Sequence, residues 1–187
     1  MFEFGSLAFI ILAICVVLAL WLVVMFNGLI RGKNRTEEAW SDIEVQLKRR
    51  YDLIPNLVST VKGYAQHEDS VFIKVTEARS AAMGATSIKD HVAAENMLSQ
   101  TLKSLFAVAE AYPQLKASDN FAHLQRELVD AEDKISAARR FFNGNVRDFN
   151  SSLQVFPTNI VGGVLGFKKF DFYDAPAEAE QNVEVKF

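Results

Sequence analysis

The chain has 187 residues, enough for one domain with an anchor but short for two independent domains. Its 20 basic and 23 acidic side chains leave a net charge of -3, which gives no electrostatic basis for nucleic-acid binding. Cys15 is the single cysteine and lies in an apolar run, which excludes an internal disulfide, a CxxC motif and a thiolate metal site.

Residues 1–6 read MFEFGS, and Glu3 is the one charge in the first 30 positions. Leu7 through Phe26 then gives 20 residues without a charge, or ~30 Å of helix, enough to cross a bilayer's hydrocarbon core. A cleaved signal peptide is the competing reading. The segment before the run has no lysine or arginine, the run exceeds a usual signal core, and no small-x-small site follows. Residues 27–35 form a basic juxtamembrane segment with Arg31, Lys33 and Arg35. The positive-inside rule therefore predicts the following domain in the cytoplasm and the N-terminus in the periplasm or exterior. Trp21 and Phe26 lie toward the exit end of the span.

Residues 36–173 have the periodicity of a helical bundle. Asn34 or Thr36 can cap a new or continuing helix, with Glu37 placed as in a capping box. Trp40, Ile43, Leu47, Tyr51, Ile54, Val58, Val61, Ala65, Phe72 and Val75 recur in steps that describe one helix face. Pro55 removes the bond to the Tyr51 carbonyl, but the apolar phase survives it, which predicts a kink. This helix is expected to reach Met83–Gly84, with His67 marking an alternative break. Gly84 to Asp90 is a connection. A second helix covers His91 to Tyr112, with Met97, Leu98, Leu102, Leu105, Phe106 and Ala109 facing the core. Pro113 closes it. A third starts at Ser118 or Asp119 and has the clearest seam: Phe121, Leu124, Leu128, Ala131, Ile135, Ala138, Phe142, Val146, Phe149, Leu153 and Phe156. Pro157 ends it or opens a short fourth helix in TNIVGGVLGF, whose glycines permit close helix contact and a turn. Strand-like alternation is absent. Residues 174–187 read as a solvated acidic tail, with VEVKF a candidate extended piece.

The segment WSDIEVQLKRRYDLIPNLVSTVKGYAQHE, from Trp40, resembles the LemA family closely. So do AEDKISAARRFFNGNVRDFN, from Ala131, and VFPTNIVGGVLGFKKFDFY, from Val155. The resemblance covers nearly the whole chain. It implies an N-terminal transmembrane helix followed by an elongated antiparallel helical bundle, an all-α protein of the bacterial inner membrane with a single span. No enzymatic activity or cofactor is established for that family. Its members are often encoded beside membrane zinc proteases or repeat-rich membrane proteins, which hints at such a partner. Family patterns usually carry tyrosine at the positions of Phe142 and Phe149, so any role requiring a phenol is lost here while packing is preserved.

Glu132, Arg139, Asn143 and Asn150 fall at spacings of seven, four and seven along the third helix. Such a polar ladder could meet Arg49, Asp52 or Asn56 of the first helix, either to fix helix register or to bind a partner. His67, His91 and His123 lack a metal-ligand spacing, and no nucleophile elbow or phosphate-binding loop is present. The expectation is a noncatalytic, membrane-tethered scaffold or adaptor, held by lipid contact of residues 7–26, with protein partners and self-association among the candidate interactions. The alternative is a membrane-surface or membrane-shaping module built on the aromatic-basic run Gly166–Tyr173.

Overall fold

The computed structural model describes residues 2–65 and 67–173, with side chains described from residue 9. Six helices follow in order: α1 (Phe2–Lys62), α2 (Asp69–Met83), α3 (Ile88–Glu110), α4 (Pro113–Lys116), α5 (Asp119–Ser152) and α6 (Thr158–Val164). Every regular element among the described residues is helical. The predicted tail at 174–187 lies outside them.

The apolar run and the charged sequence after it share one helix of 61 residues. Thr36 caps nothing; its hydroxyl donates to the Gly32 carbonyl at 3.1 Å, one turn back. Gly28 and Gly32 weaken a helix by only about 1 kcal/mol each, and no proline stands between Asn27 and Arg35.

Pro55 also lies within α1. The Tyr51 carbonyl, which loses its helical donor there, instead accepts a hydrogen bond from Arg79 Nε at 2.7 Å. A long-range contact thus satisfies the backbone group orphaned by the proline. The first helix does not reach Met83. It ends at Lys62, and α2 begins at Asp69, so the alternative break beside His67 is the one observed. Gly63 begins the turn, and the Val61 carbonyl accepts from both Tyr64 and Ala65.

Ser87 accepts a hydrogen bond from the Asp90 amide, an N-cap that starts α3 at Ile88 inside the expected connection. Two seam positions fail. Met97 is exposed, because it lies a step off the line joining Leu98, Leu102 and Leu105. Phe156 is 78% exposed, because α5 stops at Ser152 and a residue before proline is disfavoured in helix. On α1, Leu57 is buried and Val58 only half-buried.

The chain divides into two compact units. The larger comprises Trp40–Phe142 with the chain from Asp171. Its core joins Ile43, Leu47, Ile54, Leu57 and Val61 with Phe72 and Val75, Leu98 and Leu105, Leu115, and Leu128, Ala131, Ile135 and Phe142. The smaller comprises the chain to Ala39 with Asn143–Phe170. There Leu29, Val146, Phe149 and Gly162 are buried. A Cβ on Gly162 would stand 2.7 Å from Leu153 Cδ2, the end of a side chain that would have to turn aside to make room. Gly166 has φ +74°, a turn conformation that glycine adopts without strain.

Candidate functional site

The larger unit contains a buried ionic cluster. Arg50 is 3% exposed and Glu95 2%. Arg50 lies three residues after Leu47 and four before Ile54, so helical geometry carries it onto the core face. Glu95 precedes Leu98 by three and Leu102 by seven, which turns it inward on α3. The two charges meet at 2.9 Å through Arg50 Nη1 and Glu95 Oε2. Arg50 Nη2 donates to Ser99 Oγ at 2.9 Å, and Nη1 also pairs with Glu132 at 3.0 Å. The Tyr51 hydroxyl donates to the second Glu95 oxygen. Arg139 Nη2 approaches Glu95 at 3.9 Å, and its guanidinium lies 4.4 Å from the Tyr173 ring centre.

An aromatic wall accompanies these charges. The Trp40 ring stands 5.4 Å from His91, 5.5 Å from Phe142 and 6.2 Å from Tyr173, centre to centre. Burial, reinforced by the hydrogen bond to Glu95, pushes the Tyr51 phenol far above its ordinary range. Burial likewise pushes Tyr173 up to about 12, against the opposing pull of Arg139. Both phenols therefore stay neutral at physiological pH, and Tyr51 remains a donor to Glu95.

The predicted ladder residues separate into different settings. Glu132 and Arg139 join the cluster, but Glu132 meets Arg50 of α1, not Arg49, and Arg139 approaches Glu95 of α3. Arg49 turns outward and pairs with Glu127 at 2.7 Å and Asp130 at 2.9 Å. The Glu127 hydrogen bond raises the Arg49 pKa, and the Lys134 hydrogen bond lowers that of Asp130. Asp52 and Asn56 are exposed and do not enter the cluster, since they lie off the core-facing stripe. Asn143 is half-buried on α5.

Asn150 acts in the smaller unit. Its side-chain amide donates to the Phe170 carbonyl at 2.9 Å, and its oxygen accepts the Phe170 N–H at 3.0 Å. One side chain thus satisfies both backbone groups of a residue twenty positions away. The Phe149 ring packs 5.4 Å from Phe170 and 6.4 Å from Phe167.

Arg50, Glu95, Ser99 and Arg79 are absent from the ladder read in the sequence. The available signal was a charge in phase with an apolar seam, at Arg50 between Leu47 and Ile54 and at Glu95 before Leu98. Chemically the cluster is closed: the Glu95 carboxylate receives Arg50, Tyr51 and Arg139, and almost none of it reaches solvent. Among the described residues, no group of three or more His, Cys, Asp or Glu side chains is placed to hold a metal ion. Beside the cluster runs an open groove of about 490 Å³, lined by Leu102, Phe106, Leu128 and Val129 with Lys103 and Glu132.

Comparison with known proteins gives a consistent family. The LemA family model matches residues 39–187. Magnetosome protein MamQ of Magnetospirillum gryphiswaldense is 25% identical over 183 residues, covering 83% of this chain and 67% of the relative. MamQ 1 of Paramagnetospirillum magneticum is 24% identical over 178 residues, covering 81% and 65%. Protein LemA of Metamycoplasma hominis is 28% identical over 159 residues, covering 84% and 70%. The chain spans about two thirds of the length of the curated relatives it matches. A helical protein associated with the membrane through an N-terminal apolar helix, the chain belongs to the LemA family.

Proposed function

We propose that this protein is a noncatalytic, membrane-tethered scaffold or adaptor whose helical bundle holds a partner protein. The observation that carries this reading is the division of labour between α3 and α5. Their charges at Glu95, Glu132 and Arg139 are engaged with Arg50 or one another, while Leu102, Phe106 and Val129 line an open groove. The cluster then serves as a register lock, fixing which faces of the helices meet, and the groove beside it accepts an amphipathic helix of a membrane protein. A membrane protease is one candidate partner and a second copy another. A photo-crosslinking residue at Val129, introduced into the full-length protein in its native membrane, tests this. A discrete adduct with one membrane protein, lost when Phe106 is changed to Glu, is expected. No adduct at Val129, Leu102 or Lys103 contradicts the reading.

The location that fits this role is the bacterial inner membrane, with the bundle in the cytoplasm. Arg31, Lys33 and Arg35 follow the span, and residues 1–6 contain no lysine or arginine. Reporter fusions after Tyr173 should give a fluorescent-protein signal without alkaline-phosphatase activity. Strong phosphatase activity would reverse the topology.

A further inference from the structure

The smaller unit exposes apolar side chains that no scaffold role explains. Residues 151–167 carry no charge, 17 positions in succession, and then Lys168 and Lys169 follow. Within that stretch Val155, Phe156, Ile160, Val164 and Leu165 are exposed, Val164 to 82%. In water such a patch is costly and normally marks an interaction surface.

Its placement identifies the occupant. α6 is held against α1 through Gly162, whose missing Cβ would sit 3.8 Å from Leu29 and closer still to Leu153. The Phe167 ring lies 6.4 Å from Phe26, the last residue of the apolar run. Together α1 and α6 form a cleft of about 450 Å³ lined by Leu22, Val23, Phe26, Ile160, Val161, Val164 and Leu165, all apolar. Leu22, Val23 and Phe26 belong to the segment long enough to cross the membrane, so the cleft lies at bilayer depth.

Charge changes at the matching height. Lys33 comes seven residues after Phe26, ~10 Å along the helix. It lines a second cleft together with Lys168, Lys169 and Glu37, where Lys33 pairs with Glu37 at 3.5 Å. Apolar side chains at the end of the span, with lysines about two turns beyond, match the hydrocarbon-to-headgroup order of a bilayer.

We infer that α6 and the preceding turn at Val155–Phe156 form a second membrane contact. The segment inserts into the leaflet beside α1, lipid acyl chains fill the cleft, and Lys168 and Lys169 engage anionic headgroups. The inference rests on α1 crossing the bilayer and is independent of the partner groove.

The test uses the full-length protein with Cys15→Ala and single cysteines at Phe156, Ile160 or Val164, each carrying an environment-sensitive fluorophore. Each labelled protein is reconstituted into phosphatidylcholine–phosphatidylglycerol vesicles with brominated acyl chains. The label at each of the three sites should be quenched to an extent comparable with Val17→Cys in the anchor, and several-fold more than Val129→Cys on α5. Quenching at Val17 with none at the three sites overturns the inference and leaves the anchor standing. Absence of quenching at Val17 overturns the anchor as well. A blue-shifted but unquenched label, with energy transfer between differently labelled copies, assigns the face to a second copy and also overturns it. Three sites keep the test decisive should one variant misfold.

Discussion

In the larger unit charged side chains are buried, with Arg50 and Glu95 nearly inaccessible to solvent. In the smaller unit apolar side chains are exposed, with Val164 and Phe156 almost fully so. Each reverses the usual partition, and each carries a different signature of what compensates it. The buried charges have hydrogen-bonding partners within the unit, so desolvation is offset internally. The exposed apolar groups adjoin the end of a transmembrane-length helix, so their solvent is inferred to be lipid. A hydrophobicity profile alone treats both regions as anomalies; the neighbours distinguish them.

Glu95→Ala leaves the buried Arg50 without its innermost carboxylate and should cost about 3–5 kcal/mol in denaturant unfolding of the full-length protein. Glu132→Ala, at a half-exposed carboxylate, should cost about 1 kcal/mol or less. Equal losses would show that burial does not set the cluster's energetics.

Ile135→Ala, in the core of the larger unit, should cost about 2–5 kcal/mol, whereas Val164→Ala should shift stability by about 0.5 kcal/mol or less. A large loss at Val164 would place that side chain in a protein core.

Tyr173 gives a pH-dependent test. Its folded value of about 12 lies above its ordinary value near 10, so the folded state holds this proton more tightly. The associated stability is complete below pH ~10 and is lost as pH rises through ~12, a change of up to about 3 kcal/mol. Thermal melts of Tyr173→Phe against the parent protein should converge or cross over that window. Parallel curves would contradict a buried neutral phenol. A smaller effect is expected in the other unit, where Asn150→Ala leaves both backbone groups of Phe170 unpaired and should cost about 1–3 kcal/mol by the same unfolding measurement.

Much of the helical architecture was legible because periodicity reports burial directly. Ile43, Leu47, Ile54, Leu98, Leu105, Ile135 and Val146 lie in phase and are buried. The continuity of α1 through Asn34 and Thr36 is not legible in the sequence, since a threonine such as Thr36 is also tolerated within a helix when its hydroxyl bonds back to the carbonyl one turn earlier. Pro55 predicts a kink from the sequence alone, whereas the Arg79 bond to the Tyr51 carbonyl freed by the proline depends on two helices meeting. The polar ladder was half legible. Spacing singles out Glu132 and Arg139 but not Arg50 and Glu95, because a charge on an apolar stripe is usually a solvated one. Asn150 fell on the same spacing yet serves the returning chain at Phe170, a contact that helical periodicity cannot reveal.

The proposed register lock requires Arg50 and Glu95 to act as one buried unit. A double-mutant cycle with Arg50→Met and Glu95→Leu measures it, with unfolding of the full-length protein followed by Trp40 fluorescence in a Trp21→Phe background. Each single variant should be strongly destabilised, and the double variant should recover part of the loss, with a coupling energy of about 1–3 kcal/mol. Additivity of the two losses within about 0.5 kcal/mol would rule out the lock, because the two charges would then not stabilise the fold through each other.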